Sequence, residues 1–218
     1  MSAITRWWWI RHAPVPSDGR IYGQRDLPCD CSDMAAFAAL AAALPARAVW
    51  VTSNLRRTTQ TAEAIHAADP QKFAGVTLAA VPELAEQHLG DWQGLDRQAF
   101  YAERKVGMHG LWFAPAHERA PGGESFVDLV ERVAPAIERL NRTHAGRDIV
   151  AVTHGGTIRA ALGLALGIAP QAALAFATEN CSLTRIDHLA AAGPGVWRVV
   201  TVNRHGNPLS PLAGTGSG

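Results

Sequence analysis

Two histidines stand where a short apolar run gives way to loop residues. His12 follows Trp7-Trp8-Trp9-Ile10-Arg11 and precedes Pro14 and Pro16, and His154 follows Ile149-Val150-Ala151-Val152-Thr153 and precedes Gly155-Gly156. A neutral imidazole is a competent nucleophile toward phosphorus, and a guanidinium beside it, here Arg11, can neutralise phosphoryl oxygens in bidentate fashion. Gly155 and Gly156 open a helix-forming stretch, so their backbone N–H groups and the helix dipole offer a phosphate seat. Arg57 falls in the first turn of a helix that starts near Ser53, where a cation opposes the macrodipole, and that favours a functional over a structural placement. Glu86 sits in the polar stretch Glu83 to Gly94, where a carboxyl group could protonate a leaving alkoxide. Together these residue types suit phosphoryl chemistry.

The elements that must position them follow a βαβ rhythm. The Trp7–Ile10 run predicts a buried strand, with the tryptophans as strand packing rather than a binding platform. The Ala-rich stretch Met34–Leu44, stopped by Pro45, predicts a helix, followed by a strand over Ala48–Thr52. Ser53 is expected to cap the helix through Thr58, Ala62 and Ile65, and a strand is expected over Val76–Val81. Phe126, Val130, Val133, Ile137 and Leu140 have helical spacing within Ser125–Asn141, with Pro135 expected to kink the helix. Asp148–Thr153 predicts a strand running into a helix over Thr157–Leu166, and Ser182–Ile186 and Val196–Val202 predict two more strands. This alternation predicts an α/β fold with a mostly parallel sheet, whose ligands bind outside the carboxyl ends of the strands, where both histidines fall.

Composition narrows the class. At 218 residues, 48% hydrophobic and 18% charged, the chain has ordinary globular composition and room for a sizeable core. A net charge of +1 supplies no general attraction to nucleic acid or an anionic membrane, so phosphate affinity must come from clustered arginines. The longest apolar run near the N-terminus, Trp7–Ile10, is too short for a signal core or a membrane span, which makes the cytoplasm the expected location. Cys29, Cys31 and Cys181 form no CxxC pair and are expected to be reduced thiols. HExxH, GxxxxGK[ST] and GxGxxG patterns are absent. The histidines at 66, 88, 109, 117, 144, 188 and 205 have no ligand spacing and are expected on the surface or in loops.

These segments resemble the histidine phosphatase superfamily, the group that includes cofactor-dependent phosphoglycerate mutases and many small phosphatases. Arg11-His12 resembles its RHG motif, Ser53–Ala62 its SxLxRAxQTA helix, Glu86–Gly94 its ExxxGxWxG stretch and Val152–Gly156 its VxHGG motif, in the family's order. The resemblance implies a three-layer α/β/α, phosphoglycerate mutase-like fold. It also implies that His12 becomes phosphorylated, that Glu86 acts as general acid and then base, and that Arg11, Arg57 and His154 bind the phosphoryl group without a metal or a cofactor. Tyr22–Pro28 resembles the family's GxxDxPL loop, which adds Gly23 and Gln24 as phosphate-binding candidates beside Gly155. Ala13-Pro14-Val15 departs from the family's usual loop, and Pro14 removes a backbone donor.

The expectation is one domain over 1–207, with about 87–125 as a small cap and 208–218 as a flexible tail. Its expected activity is hydrolysis of a small phosphorylated metabolite. Ala120–Phe126 resembles the PGGES stretch of α-ribazole phosphatases, and sugar phosphates remain open. Mutase-type phosphoryl transfer is the alternative, disfavoured by the short segment between Glu86 and His154; a non-catalytic phospho-ligand module is another. A homodimer is left open, and neither nucleic acid nor membrane is expected as a partner.

Overall fold

The structure, a computed structural model, describes residues 3–104, 112–190 and 195–205. The expected tail and His109 lie outside them. Six strands form one sheet in the order β3-β2-β4-β1-β5-β6. They are β1 (Ile4–Arg11), β2 (Val49–Thr52), β3 (Leu78–Ala80), β4 (Asp148–Thr153), β5 (Leu183–Leu189) and β6 (Val196–Arg204). β1 to β4 run parallel, and β5 is antiparallel to both of its neighbours. The sheet is therefore mostly parallel, as alternation of strand and helix predicts.

Alternation along β1 explains the layers. Trp7 and Trp9 stack at 4.6 Å on one face, where they join α4 (Phe126–Thr143) and α5 (Gly155–Leu166) in one core. Trp8 and Ile10 face the other side with Trp50, Val150 and Val152, under α1 (Met34–Ala43) and α2 (Arg56–Ala68). Two short helices, α3 (Arg97–Glu103) and α6 (Pro170–Ala173), complete the described α-helices. A third apolar cluster, containing Ile21, Leu89, Trp92 and Phe100, sits under the loops and α3.

Local chemistry sets the boundaries. Ser125 caps α4 in a capping box with Asp128, and the helix continues through Pro135 with Leu129, Val133 and Ile137 buried. At α2 the cap differs from the expectation. Its N-cap position is Leu55, and the free Arg56 N–H donates to Asp26 Oδ1 at 2.7 Å. Ser53 is instead turned to the site, where its hydroxyl accepts from Leu55 N–H and meets His154. β3 is shorter than the expected Val76–Val81 because only Leu78–Ala80 pair with β2. His66 is neither surface nor loop: it lies in α2, edge-on to Trp50 and stacked on Phe73.

Topology creates the site. From β1 the chain passes through α1 to β2, and from β4 through α5 to β5, so the two crossovers leave in opposite directions at the β4–β1 boundary. Such a switch point leaves a crevice at the carboxyl ends of the strands. Arg11 pairs in register with Thr153, so the residues that follow them, His12 and His154, emerge side by side.

Candidate functional site

His12 and His154 stand with ring centroids 5.2 Å apart, both fully buried. His12 N–H donates to the Thr153 carbonyl at 2.9 Å, and its own carbonyl accepts from Asn180 Nδ2 at 2.7 Å, so the backbone is clamped on both sides. Its Nδ1 lies 2.7 Å from the Ala13 carbonyl, an acceptor only. That contact assigns the ring proton to Nδ1 and the bare lone pair to Nε2. Ala13 is buried with its N–H on Thr61 Oγ1 at 2.8 Å, so the departure at Ala13-Pro14 leaves this loop's first amide committed inside the protein.

The His154 tautomer follows from a second chain of bonds. Ser53 Oγ lies 2.8 Å from His154 Nε2 and 3.2 Å from Thr58 Oγ1, whose own proton goes to the Leu55 carbonyl at 2.8 Å. With the Ser53 proton directed to His154 Nε2, neutral His154 carries its own on Nδ1, as a donor. Both rings are held neutral. Burial, reinforced by Arg57, pushes each pKa well below the ordinary 6.5.

Arginines surround the pair. Arg57, fully buried, donates through Nη1 to the Arg25 carbonyl at 2.9 Å and through Nη2 to the Gly23 carbonyl at 2.7 Å, and its guanidinium lies 5.2 Å from the Tyr22 ring centroid. Arg11 donates through Nη1 to the Thr178 carbonyl at 2.5 Å. Arg11 Nε, Arg57 Nε, His12 Nε2 and His154 Nδ1 are all buried and have no hydrogen-bond partner. Buried polar atoms are ordinarily satisfied, so four such nitrogens in one cluster mark a place built for an anion.

Glu86 meets the N-terminus of α5. Its Oε1 accepts from Gly156 N–H at 3.1 Å and Gln87 N–H at 3.0 Å. The helix N-terminus expected to seat phosphate therefore gives one amide, that of Gly156, to a side-chain oxygen of the protein's own. Gly156 has to be glycine for this contact, because a Cβ there would stand 2.3 Å from Glu86 Oε1. Gly155 and Gly23 line the adjoining cavity, as do Arg11, Tyr22 and Glu86. Gln24 does not line it: its side chain donates to the Glu86 carbonyl at 2.8 Å and its N–H to Gln93 Oε1 at 2.7 Å, so it holds the loop that carries Glu86.

The cavity has a volume of about 210 Å³, with Trp92, Phe113, Phe126 and Leu174 forming much of its outer wall. His12, His154 and Arg57 lie beneath its lining rather than in it. Several residues here escaped the reading of the sequence. Asn180 and Thr178 arrive because β5 is antiparallel to β1, so its start lies beside the end of β1. The signal available for them was the turn of polar residues directly before the Ser182 strand. Tyr22, within the loop next to Gly23, was legible only as part of that loop.

The chain belongs to the histidine phosphatase superfamily (branch 1), whose model matches residues 7–205. It is 33% identical over 170 residues to a glucosyl-3-phosphoglycerate phosphatase of Mycolicibacterium vanbaalenii, spanning 73% of each chain. It is 29% identical over 138 residues to the "Probable phosphoglycerate mutase GpmB" of Photorhabdus laumondii, covering 63% of this chain and 62% of that protein, less than two thirds of its length. In three dimensions it matches the native structure of mycobacterial glucosyl-3-phosphoglycerate phosphatase with a TM-score of 0.77 at 26% identity, over 92% of this chain and 99% of that one. Among the described residues no helix is long and apolar enough to cross a membrane.

The neutral, buried imidazoles carry a stability consequence. Their folded pKa values lie below 6.5, so in mildly acidic solution the unfolded chain binds protons that the folded chain refuses, and His66, also lowered by burial, adds to the effect. The contribution to stability is complete above pH 6.5 and is lost as pH falls, by about 1.4 kcal/mol per proton per pH unit. A thermal midpoint measured in phosphate-free buffer should be level from about pH 7 to 8, short of the range in which the raised Cys31 and Cys181 thiols matter, and should decline below about pH 6.5. A midpoint that rises on mild acidification would contradict the neutral assignment.

Proposed function

We propose that the protein is a phosphomonoester hydrolase that works through a phosphohistidine on His12 and needs no metal. The observation that carries this reading is the set of four unpartnered buried nitrogens around the two rings. His12 Nε2 attacks phosphorus in line, forming the N–P bond as the P–O bond to the alcohol breaks. Protonated Glu86 gives its proton to the departing oxygen. Arg11, Arg57 and the Nδ1–H of His154 take the charge on the phosphoryl oxygens, and the Ala13 carbonyl keeps the ring proton on Nδ1 as positive charge develops. Glu86, now a carboxylate, removes a proton from water, whose oxygen attacks phosphorus and breaks the N–P bond. Neutral His12 and protonated Glu86 return with release of phosphate.

Because His12 is fully buried, the phosphoryl group has to shift neighbouring side chains to reach Nε2, and Tyr22, 6.3 Å away ring to ring and on the cavity wall, is one of them. The substrate is a small phosphorylated metabolite, α-ribazole phosphate or a sugar phosphate. The unbridged thiols suit a reducing compartment, and the cytoplasm is the proposed location. The test is phosphate release from a panel of phosphomonoesters with and without EDTA. Turnover should be unaffected by the chelator, because fixed guanidinium groups hold the charge that a metal would otherwise carry. Abolition by EDTA, restored by a divalent cation, would overturn the metal-free mechanism.

A further inference from the structure

The stretch Ala120–Phe126, singled out in the sequence, takes no part in the chemistry described so far. If it selected the substrate, its side chains would line the cavity, and of these residues only Phe126 does. Gly122, Gly123 and Glu124 border a separate, open cleft instead, together with Gln24, His88 and Arg132. What this turn touches is the loop that carries Glu86.

The contact is backbone against backbone. Glu124 N–H donates to the His88 carbonyl at 2.7 Å, and Asp91 N–H donates to the Pro121 carbonyl at 2.8 Å. A Cβ on Gly123 would stand 2.3 Å from the His88 carbonyl oxygen, and one on Gly90 would stand 1.9 Å from that of Pro121. Close approach of the two chains therefore requires both glycines. Glu124 adds to the contact: its Oε2 accepts from His88 N–H at 3.0 Å, and its carbonyl accepts from Gln87 Nε2 at 2.8 Å.

Arg132, on α4, closes this brace. Its Nε donates to Glu124 Oε1 and its Nη2 to Glu124 Oε2, both at 2.9 Å, in a bidentate ion pair. With side chains only 23% and 21% exposed, the pair escapes most of the screening that weakens surface ion pairs. The other bonds go to the Glu86 loop. Nη1 donates to the Glu83 carbonyl at 2.7 Å and the Ala85 carbonyl at 3.2 Å, and Nη2 donates to the Glu86 carbonyl at 3.3 Å. These five bonds use every N–H that a guanidinium has, so Arg132 keeps none for a ligand.

We propose that Arg132 and Glu124 are positioning residues for the general acid: they fix the backbone from Glu83 to His88 so that the Glu86 carboxyl stays at the N-terminus of α5. This inference rests on the reading of Glu86 as the proton donor. The Pro121–Ser125 turn then serves proton transfer and does not choose the alcohol.

Arg132→Lys and Glu124→Gln test it. Lysine keeps the positive charge, which also bears on His154, but one ammonium cannot hold a carboxylate and three carbonyls at once. Glutamine keeps an acceptor for His88 N–H and removes the counter-charge of Arg132. For the alkyl phosphate that the wild type turns over fastest, kcat/KM should fall ~10- to 100-fold in each variant, the scale on which ~1 Å of misplacement costs rate. For p-nitrophenyl phosphate, whose phenolate leaves unprotonated, the fall should be far smaller. A merely structural role would lower the thermal midpoint and leave the ratio of the two esters alone. In a Glu86→Gln background neither substitution should change that ratio further, because the group they position is gone. Equal loss on both esters in a folded variant, or losses that multiply in the double variant, overturns the inference and leaves the phosphatase reading standing. Should Arg132→Lys fail to fold, the nearly isosteric Glu124→Gln decides on the same ratio. Failure of the wild type to release phosphate from any ester refutes the phosphatase reading itself.

Discussion

His12→Ala is expected to lower phosphate release by at least ~10⁴-fold, the scale on which an enzyme loses activity with its nucleophile. Only Nε2 of this ring is available for attack, since Nδ1 is tied to the Ala13 carbonyl. The backbone clamp from Thr153 and Asn180 does not involve the imidazole and should survive the substitution. The variant should therefore remain folded, which its thermal midpoint reports. Rapid quenching of the wild type during turnover should place a phosphoryl group on the peptide containing His12, stable in base and labile in acid. A phosphoryl group found on another residue, or turnover retained in folded His12→Ala, would remove the phosphohistidine from the mechanism.

Glu86→Gln separates proton transfer from architecture. Glutamine keeps an oxygen able to accept from Gly156 and Gln87, so the anchor on α5 persists while the transferable proton is lost. For alkyl phosphates the expected fall in kcat/KM, which reports phosphoryl transfer to His12 and not the later hydrolysis of phosphohistidine, is ~10²- to 10⁴-fold, the usual worth of a general acid. For p-nitrophenyl phosphate the fall should be far smaller, because that phenolate leaves without protonation. Gly156→Ala supplies the complement: alanine is favoured in a helix interior, but its Cβ would lie 2.3 Å from Glu86 Oε1 and 3.3 Å from Leu129 Cδ1, so the carboxylate must move. Alkyl phosphate turnover should drop there with the fold retained. Losses of equal size across good and poor leaving groups would reduce Glu86 to a structural cap.

Stability and chemistry share one cause at this site. The desolvation that keeps both imidazoles neutral leaves His12 a lone pair for attack, and the same burial makes the folded state sensitive to acid. Arg57 adds to both effects while it ties the Gly23–Arg25 loop to α2 through two carbonyls. Its replacement would release that loop as well as a charge.

By itself the sequence determined the strand-end positions of His12 and His154, the first-turn position of Arg57 and the α/β alternation, because periodicity and helix-start signals are local properties of the chain. It also carried the family resemblance, in motifs whose order and spacing are linear. The tertiary structure decided what stands next to what. Ser53 left its expected role as a cap because His154, 101 positions away, offered its hydroxyl a partner. The Gly156 amide went to Glu86 because the fold brings that loop to the helix N-terminus, and Thr178 and Asn180 reached the site only through the antiparallel run of β5. The packing of α3 and α5 set Arg97 and Arg159 on one cavity wall. Long-range pairing is set by the burial of both sheet faces and by strand direction, neither of which any local stretch of residues encodes.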